Sequence, residues 1–337
     1  MGSVNQLEQV PCSLCGAERA ALECLTVAHP PSSGGEWRLV RCEGCGLVYL
    51  NPRPTEQAIA EFYPSEYYEN SEALMLAATR WRPWPGLRKW VKRRLAEEHY
   101  RTLSGRSASE RVLRRVLSLW KVRWGALPPR NRPGRMLDIG CGTGYYLELL
   151  RDAGWEVVGT EIGDGAIAIC RSKGFEVLKG QADQLQLPDQ SFDVVHIAQV
   201  LEHVHRPRAI LETACRVLRP DGLLLLDVPN YEAPLRRLFG PSWFSVEAPR
   251  HLYHFSALTL RRLLETSGFA VDRLYTRALS QGAGRHLEVT SQMLRRAMPE
   301  GEALSRGVEV TAQLNALAEQ MGCGDTLYVE AHPRGAA

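Results

Sequence analysis

Apolar residues follow two different rhythms along this chain, and the change from one to the other divides it. From Arg135 onward, short apolar runs alternate with stretches at helical spacing, the pattern of a mostly parallel sheet covered on both faces. Strands are predicted at Met136–Ile139, Glu156–Gly159, Phe175–Leu178, Val194–Ile197, Leu223–Val228, Val271–Tyr275 and Leu327–Glu330. Tyr146, Leu149, Leu150 and Ala153 share one helical stripe between the first two, and Leu258–Leu264 predicts another helix. Leu218-Arg219-Pro220-Asp221-Gly222 is expected to turn into the fifth strand. The stretch from Leu279 to Gly324 is polar and helical, and is expected to cover the mouth of a site.

Upstream of Arg135 the pattern is different. Leu87, Val91 and Leu95, then Val112 and Val116, recur every four residues with arginines on the other faces, which predicts basic helices. Ile59, Phe62 and Tyr63 predict a further helix after Thr55. The first fifty residues are turn-rich and end in Asn51-Pro52-Arg53-Pro54, which continues neither a helix nor a central strand. The expected organisation is therefore a small module over residues 1–54, a helical connecting region over 55–134 and an α/β domain over 135–337.

Charge sharpens this division. The chain has 337 residues and a formal net charge of +3. Between Arg80 and Arg135 there are 17 Lys and Arg against Glu97, Glu98 and Glu110, a local +14 that leaves −11 for the rest. Such a block, with Trp81, Trp84, Trp90, Trp120 and Trp124, fits RNA, an anionic membrane surface touched peripherally, or a nucleotide- or lipid-linked substrate. A solvated face balanced by the acidic remainder is the plain alternative. No apolar run approaches the ~20 residues of a membrane span, and the first ten residues lack a leader pattern, so a cytoplasmic location is expected.

Four of the nine cysteines form two knuckles, Cys12-Ser-Leu-Cys15-Gly16 and Cys42-Glu-Gly-Cys45-Gly46, with 26 residues between them. Two thiolates spaced in this way bite one ion, and two bites complete a closed tetrahedral shell, so a structural Zn2+ is expected; redox pairs are the competing reading. Cys24 is a spare thiol, and Cys141 and Cys170 are expected in the core.

Candidate chemistry centres on Leu137-Asp138-Ile139-Gly140-Cys141-Gly142-Thr143-Gly144, a buried strand running into three glycines and then a helix. The spacing is neither the dinucleotide fingerprint nor a P-loop. Glu161 ends the second strand 23 residues after Asp138, where a carboxylate can hold both hydroxyls of a ribose. Asp183 follows the third strand and could receive an adenine amino group.

From Asp138 to Asn230 the chain resembles the core of class I S-adenosylmethionine-dependent methyltransferases. The resemblance implies a Rossmann-like seven-stranded sheet with helices on both faces. It implies that Gly140, Gly142 and Gly144 line the methionine portion of S-adenosylmethionine and that Asp138 fixes its amino end. By the same likeness Glu161 holds the ribose, Ala182 and Asp183 face the adenine, and Gln199 borders the sulfonium. Gly46 to Pro54, with Phe62-Tyr63 and Tyr67-Tyr68, is similar to the N-terminal extension of bacterial enzymes related to the sugar C-methyltransferases. This implies a ribbon that supplies substrate contacts.

The same resemblance places Gln199-Val-Leu-Glu202-His203-Val-His205 near the transferred methyl. An imidazole titrates near neutrality, so His203 is the first candidate base, with Glu202 orienting it. Pro249-Arg250-His251-Leu-Tyr253-His254-Phe255-Ser256 resembles the loop over the acceptor, which makes His251 the second candidate and Arg250 or Tyr253 substrate contacts. A packed or capping histidine is the alternative for each. The acceptor expected is a small polar molecule, a sugar or secondary metabolite, methylated at O or C. RNA methylation is the second reading, weakened because Ala198-Gln199-Val200-Leu201 lacks the Asn/Asp-Pro-Pro-Tyr/Phe strand end common where a base nitrogen is methylated.

Overall fold

Alternating burial in β10, where every second residue from Gly222 to Val228 is buried, shows why this chain folds around a sheet. The computed structural model describes residues 6–28, 35–63, 128–129, 133–277, 321 and 323–335. The N-terminal strands are β1 (Leu7–Glu8), β2 (Ala20–Val27), β3 (Glu36–Cys42), β4 (Val48–Leu50) and β5 (Arg53–Pro54). Then come β6 (Arg135–Ile139), α1 (Tyr145–Asp152), β7 (Glu156–Glu161), α2 (Asp164–Ser172), β8 (Glu176–Lys179) and β9 (Phe192–Ala198). The chain continues with α3 (Pro207–Val217), β10 (Leu218–Pro229), α4 (Pro234–Phe239), β11 (Tyr253–His254), α5 (Ala257–Thr266), β12 (Phe269–Arg277) and β13 (Thr326–Pro333). The basic helices expected between residues 80 and 127, and most of the 279–324 stretch, lie outside the described residues. No helix among the described residues is long and apolar enough to cross a membrane.

All seven predicted strands form, in one sheet of order β12-β13-β10-β9-β6-β7-β8. β6, β7 and β8 pair in parallel, with Asp138 opposite Gly159, whereas β12 and β13 are antiparallel. The strand order reverses between β6 and β9, and in an open sheet of this kind ligands bind at the carboxyl ends beside such a reversal. The predicted glycine loop leaves β6 at this point.

Contacts divide the chain into two compact units. The first comprises Met1–Pro64, Ile197–Cys215 and Leu226–Ala337; the second comprises Ser65–His196 and Arg216–Leu225. The core of the second unit joins Met136, Leu147, Leu150, Trp155, Ile167, Phe175, Val177 and Val194. Cys141 and Cys170 are in that core, as expected. In the first unit β2, β3 and β4 form an antiparallel sheet, and β11 extends it by pairing with β4, Tyr253 opposite Tyr49.

Two local expectations change. The segment after Thr55 gives only a single 3-10 turn, Ile59–Phe62, because Pro64 biases Tyr63 out of the helical region; Tyr63 is extended at φ −104°, ψ 108°. The predicted turn at Leu218–Gly222 is the start of β10. Its backbone is still sharply bent, since a Cβ on Gly222 would lie 2.8 Å from the Arg219 carbonyl oxygen.

Candidate active site

The glycine loop of the second unit is held in place by the acid that the sequence pairs with it. Gly140, Gly142 and Gly144 have φ of 72°, 53° and 79°, values that residues with a Cβ avoid. Glu161, buried at the end of β7, accepts from Gly142 N on one carboxylate oxygen (2.9 Å) and from Ile162 N and Gly163 N on the other (2.8 and 2.9 Å). A carboxylate offers about four lone-pair sites, and these three backbone donors take three of them. A Cβ on Gly142 would meet nothing within 4 Å, so the loop faces open space there, whereas one on Gly144 would lie 2.9 Å from Cys170 Sγ. Gly144→Ala combines a left-handed backbone with overpacking and is expected to cost about 1–3 kcal/mol. Urea denaturation measures this, and an unchanged midpoint would show that the loop tolerates a side chain.

Asp138, on β6, is buried, and its Oδ1 lies 2.7 Å from His196 Nδ1 on β9. The Tyr146 ring stacks on His196 at 3.9 Å between centroids. His196 was not singled out in the sequence. The signal was a polar residue inside the apolar run Val194–Ile197, facing a strand with its own buried acid. Ala182 and Asp183 sit in a 3-10 turn after β8, with Ala182 buried.

The first unit brings the three proposed catalytic residues together. One ligating atom from each of Glu202, His203 and His251 lies within 4.8 Å of the others, and the two imidazoles meet edge to face at 4.5 Å. His203 Nδ1 is 3.1 Å from Arg250 O and 3.0 Å from the Tyr63 hydroxyl; His251 Nδ1 is 2.8 Å from Ser245 O. A carbonyl oxygen only accepts, so each ring carries its hydrogen on Nδ1 and presents a lone pair at Nε2. Burial, with the Arg250 charge nearby, depresses the His203 pKa to about 3, below the near-neutral titration expected of it, and keeps the ring neutral. Burial likewise pushes the Glu202 carboxyl well above the carboxylate range, helped by Asp227 and Glu247.

Neighbouring groups fix this arrangement. Arg250 is buried and its Nη2 holds Glu247 at 2.6 Å; the Tyr253 hydroxyl accepts from Arg53 (2.7 Å) and donates to His205 O (3.1 Å). Both residues expected to touch substrate are therefore engaged in holding the first unit together. Gln199 adopts φ 54° and donates from Nε2 to Asp227 (2.7 Å). Asp227 went unread as a site residue and Tyr63 was read only as part of the N-terminal-extension motif, because only the tertiary fold brings them to Gln199 and His203.

The four knuckle cysteines also converge. Cys12 and Cys45 Sγ are 3.5 Å apart, as are Cys15 and Cys42, and all four lie within 4.8 Å. Four sulfurs at ~2.3 Å from a tetrahedral ion are separated by about 3.8 Å, so the quartet fits such an ion. In each knuckle a glycine N–H closes on the first cysteine, Gly16 on Cys12 O (2.8 Å) and Gly46 on Cys42 O (2.9 Å), both at positive φ. Burial opposes ionisation at Cys12, raised to about 11, whereas at Cys42 backbone and thiol hydrogen bonds overcome burial and lower it to about 7.

Comparison with known proteins adds to this geometry. A family model described as "Methyltransferase domain" matches residues 81–274, more than half of the chain. A probable S-adenosylmethionine-dependent methyltransferase of Mycolicibacterium smegmatis is 34% identical over 151 residues, 44% of this chain and 56% of that protein. A malonyl-[acyl-carrier protein] O-methyltransferase of Serratia marcescens is 30% identical over 132 residues, 38% of this chain and 51% of that protein. The chain thus spans about half the length of the curated relatives it matches. Among solved structures, a SAM-dependent methyltransferase of Thermotoga maritima, a possible histamine N-methyltransferase by its description, is 22% identical with a TM-score of 0.43. That match covers 62% of this chain and 84% of that one.

Proposed function

The chain belongs to the methyltransferase-domain family, and from that premise we propose that it transfers the methyl group of S-adenosylmethionine to a small polar acceptor, a sugar or secondary metabolite, at oxygen or carbon. The observation that carries this reading is the left-handed glycine loop tied to Glu161 beside the reversal of strand order. In this reading Gly140, Gly142 and Gly144 line the methionine portion and Asp138 fixes its amino end, with His196 steering Asp138. Glu161 holds the ribose hydroxyls, Ala182 and Asp183 face the adenine, and Gln199 borders the sulfonium. The cofactor supplies a strongly electrophilic methyl when bound, so the protein has only to align the acceptor and remove its proton.

Proton removal falls to the Glu202–His203–His251 cluster. His203 is the first candidate because its Nδ1–H is committed to Arg250 O, which leaves Nε2 as the accepting nitrogen. His251 is the second, and Glu202 orients the pair. His203→Ala is expected to keep S-adenosylmethionine affinity while turnover falls ~10²–10⁴-fold. Calorimetry and transfer of a labelled methyl to candidate sugars and metabolites separate the two quantities, and full turnover would defeat the assignment. The cysteine quartet holds a structural Zn2+ with no open position for reacting water, which suits a reducing, cytoplasmic setting.

A further inference from the structure

Glu202, His203 and His251 form a group that proton transfer explains only in part. Both imidazoles commit Nδ1–H to carbonyl oxygens, Arg250 O and Ser245 O, so in each the electron pair that can be donated is the one on Nε2. Glu202 is 0% exposed, and neither of its carboxyl oxygens has a hydrogen-bond partner among the described residues. A buried carboxyl without a partner is costly to keep and rare in folded proteins. Here two imidazoles and a carboxyl, all electron-pair donors, place one ligating atom each within 4.8 Å of the others. The nearby positive charge is already answered, because Arg250 is paired with Glu247 at 2.6 Å.

Resting on the acceptor-side role given to this cluster above, we propose that Glu202, His203 and His251 bind one divalent cation whose open coordination positions take oxygen atoms of the methyl acceptor. Two imidazoles and one carboxylate leave positions free, and this nitrogen–oxygen set suits Mn2+, Fe2+ or Zn2+, unlike the all-sulfur quartet of the N-terminal module. Glu247, whose Oε2 lies 3.6 Å from His251 Nε2, sets a second carboxylate beside the same nitrogen, while the Ser245 carbonyl holds the other ring nitrogen and so orients the histidine. The acceptor class narrows accordingly to molecules with a hydroxyl beside a second oxygen, such as a vicinal diol or a hydroxyl next to a carbonyl. A cation lowers the pKa of a hydroxyl that it binds, so the proton can pass to water instead of to an imidazole.

The test is a titration of the full chain, its N-terminal ion in place, with Mn2+, a probe that thiolates bind poorly. Free Mn2+ is followed by electron paramagnetic resonance, and S-adenosylmethionine binding is measured in parallel by calorimetry. One saturable Mn2+ site per chain is expected, with affinity reduced at least about tenfold in Glu202→Gln and in His251→Gln while the cofactor still binds. If one variant fails to melt cooperatively, the other carries the comparison. No saturable uptake by the parent chain, or equal affinity in the folded variants, overturns the proposal. Cofactor binding without Mn2+ uptake would leave the methyltransferase reading standing, whereas a parent chain that binds no cofactor would end that reading independently.

Discussion

Glu161→Ala is expected to weaken S-adenosylmethionine binding by ~10²–10³-fold, the larger of the two effects on ligand affinity foreseen here. Its carboxylate accepts three backbone hydrogen bonds, from Gly142, Ile162 and Gly163, and each charge-assisted bond of this kind is worth about 1.5–3 kcal/mol. Removing it releases the glycine loop from the end of β7 and, under the proposed function, also strips the ribose of its acceptor. Glu161→Gln keeps an acceptor oxygen for some of these donors and loses the charge, so an intermediate affinity is expected. Isothermal calorimetry on both variants measures the ladder. An alanine variant that binds the cofactor like the parent would remove Glu161 from the site.

Cys12→Ser should have the largest effect on stability. A structural zinc of this kind contributes ~10–16 kcal/mol of apparent binding free energy, far more than a ribbon of short strands gains from its own core. Elemental analysis should fall from one zinc per chain to none, and the N-terminal unfolding transition should move to much lower temperature. Unchanged zinc content would contradict a four-cysteine site. The damage should spread through the first unit, because Arg53 on β5 reaches Tyr253 (2.7 Å) and His205 O (3.3 Å), and the Tyr63 hydroxyl reaches His203. Reduced turnover is therefore expected even if the glycine loop still binds cofactor.

The sequence was most informative where local physics decides the outcome. Seven strands were read from apolar runs because strands buried on both faces have little other composition open to them. The knuckles were read because ion geometry constrains spacing directly. Glu202, His203 and His251 were read from two segments that resemble class I methyltransferases, and their convergence is what the structure adds. What escaped was long-range partnership. His196 meets Asp138 through the alignment of β9 with β6, Gln199 meets Asp227 where two strands end, and Tyr63 reaches His203 across 140 positions. Arg250 and Tyr253 were read as substrate contacts because their loop resembles the one over the acceptor in class I methyltransferases. Only their burial and partners show them holding the first unit together.

The pairing of β4 with β11 has a consequence for how this protein is made. Tyr49 lies opposite Tyr253, so the sheet of β2, β3 and β4 acquires its outer strand only after some two hundred further residues have been synthesised. During translation the nascent N-terminal hairpin must wait with that edge unsatisfied, and such non-local closure is intrinsically slow. A ribosome-stalled chain ending before Leu252 should therefore be far more open to protease at β4 than the released protein.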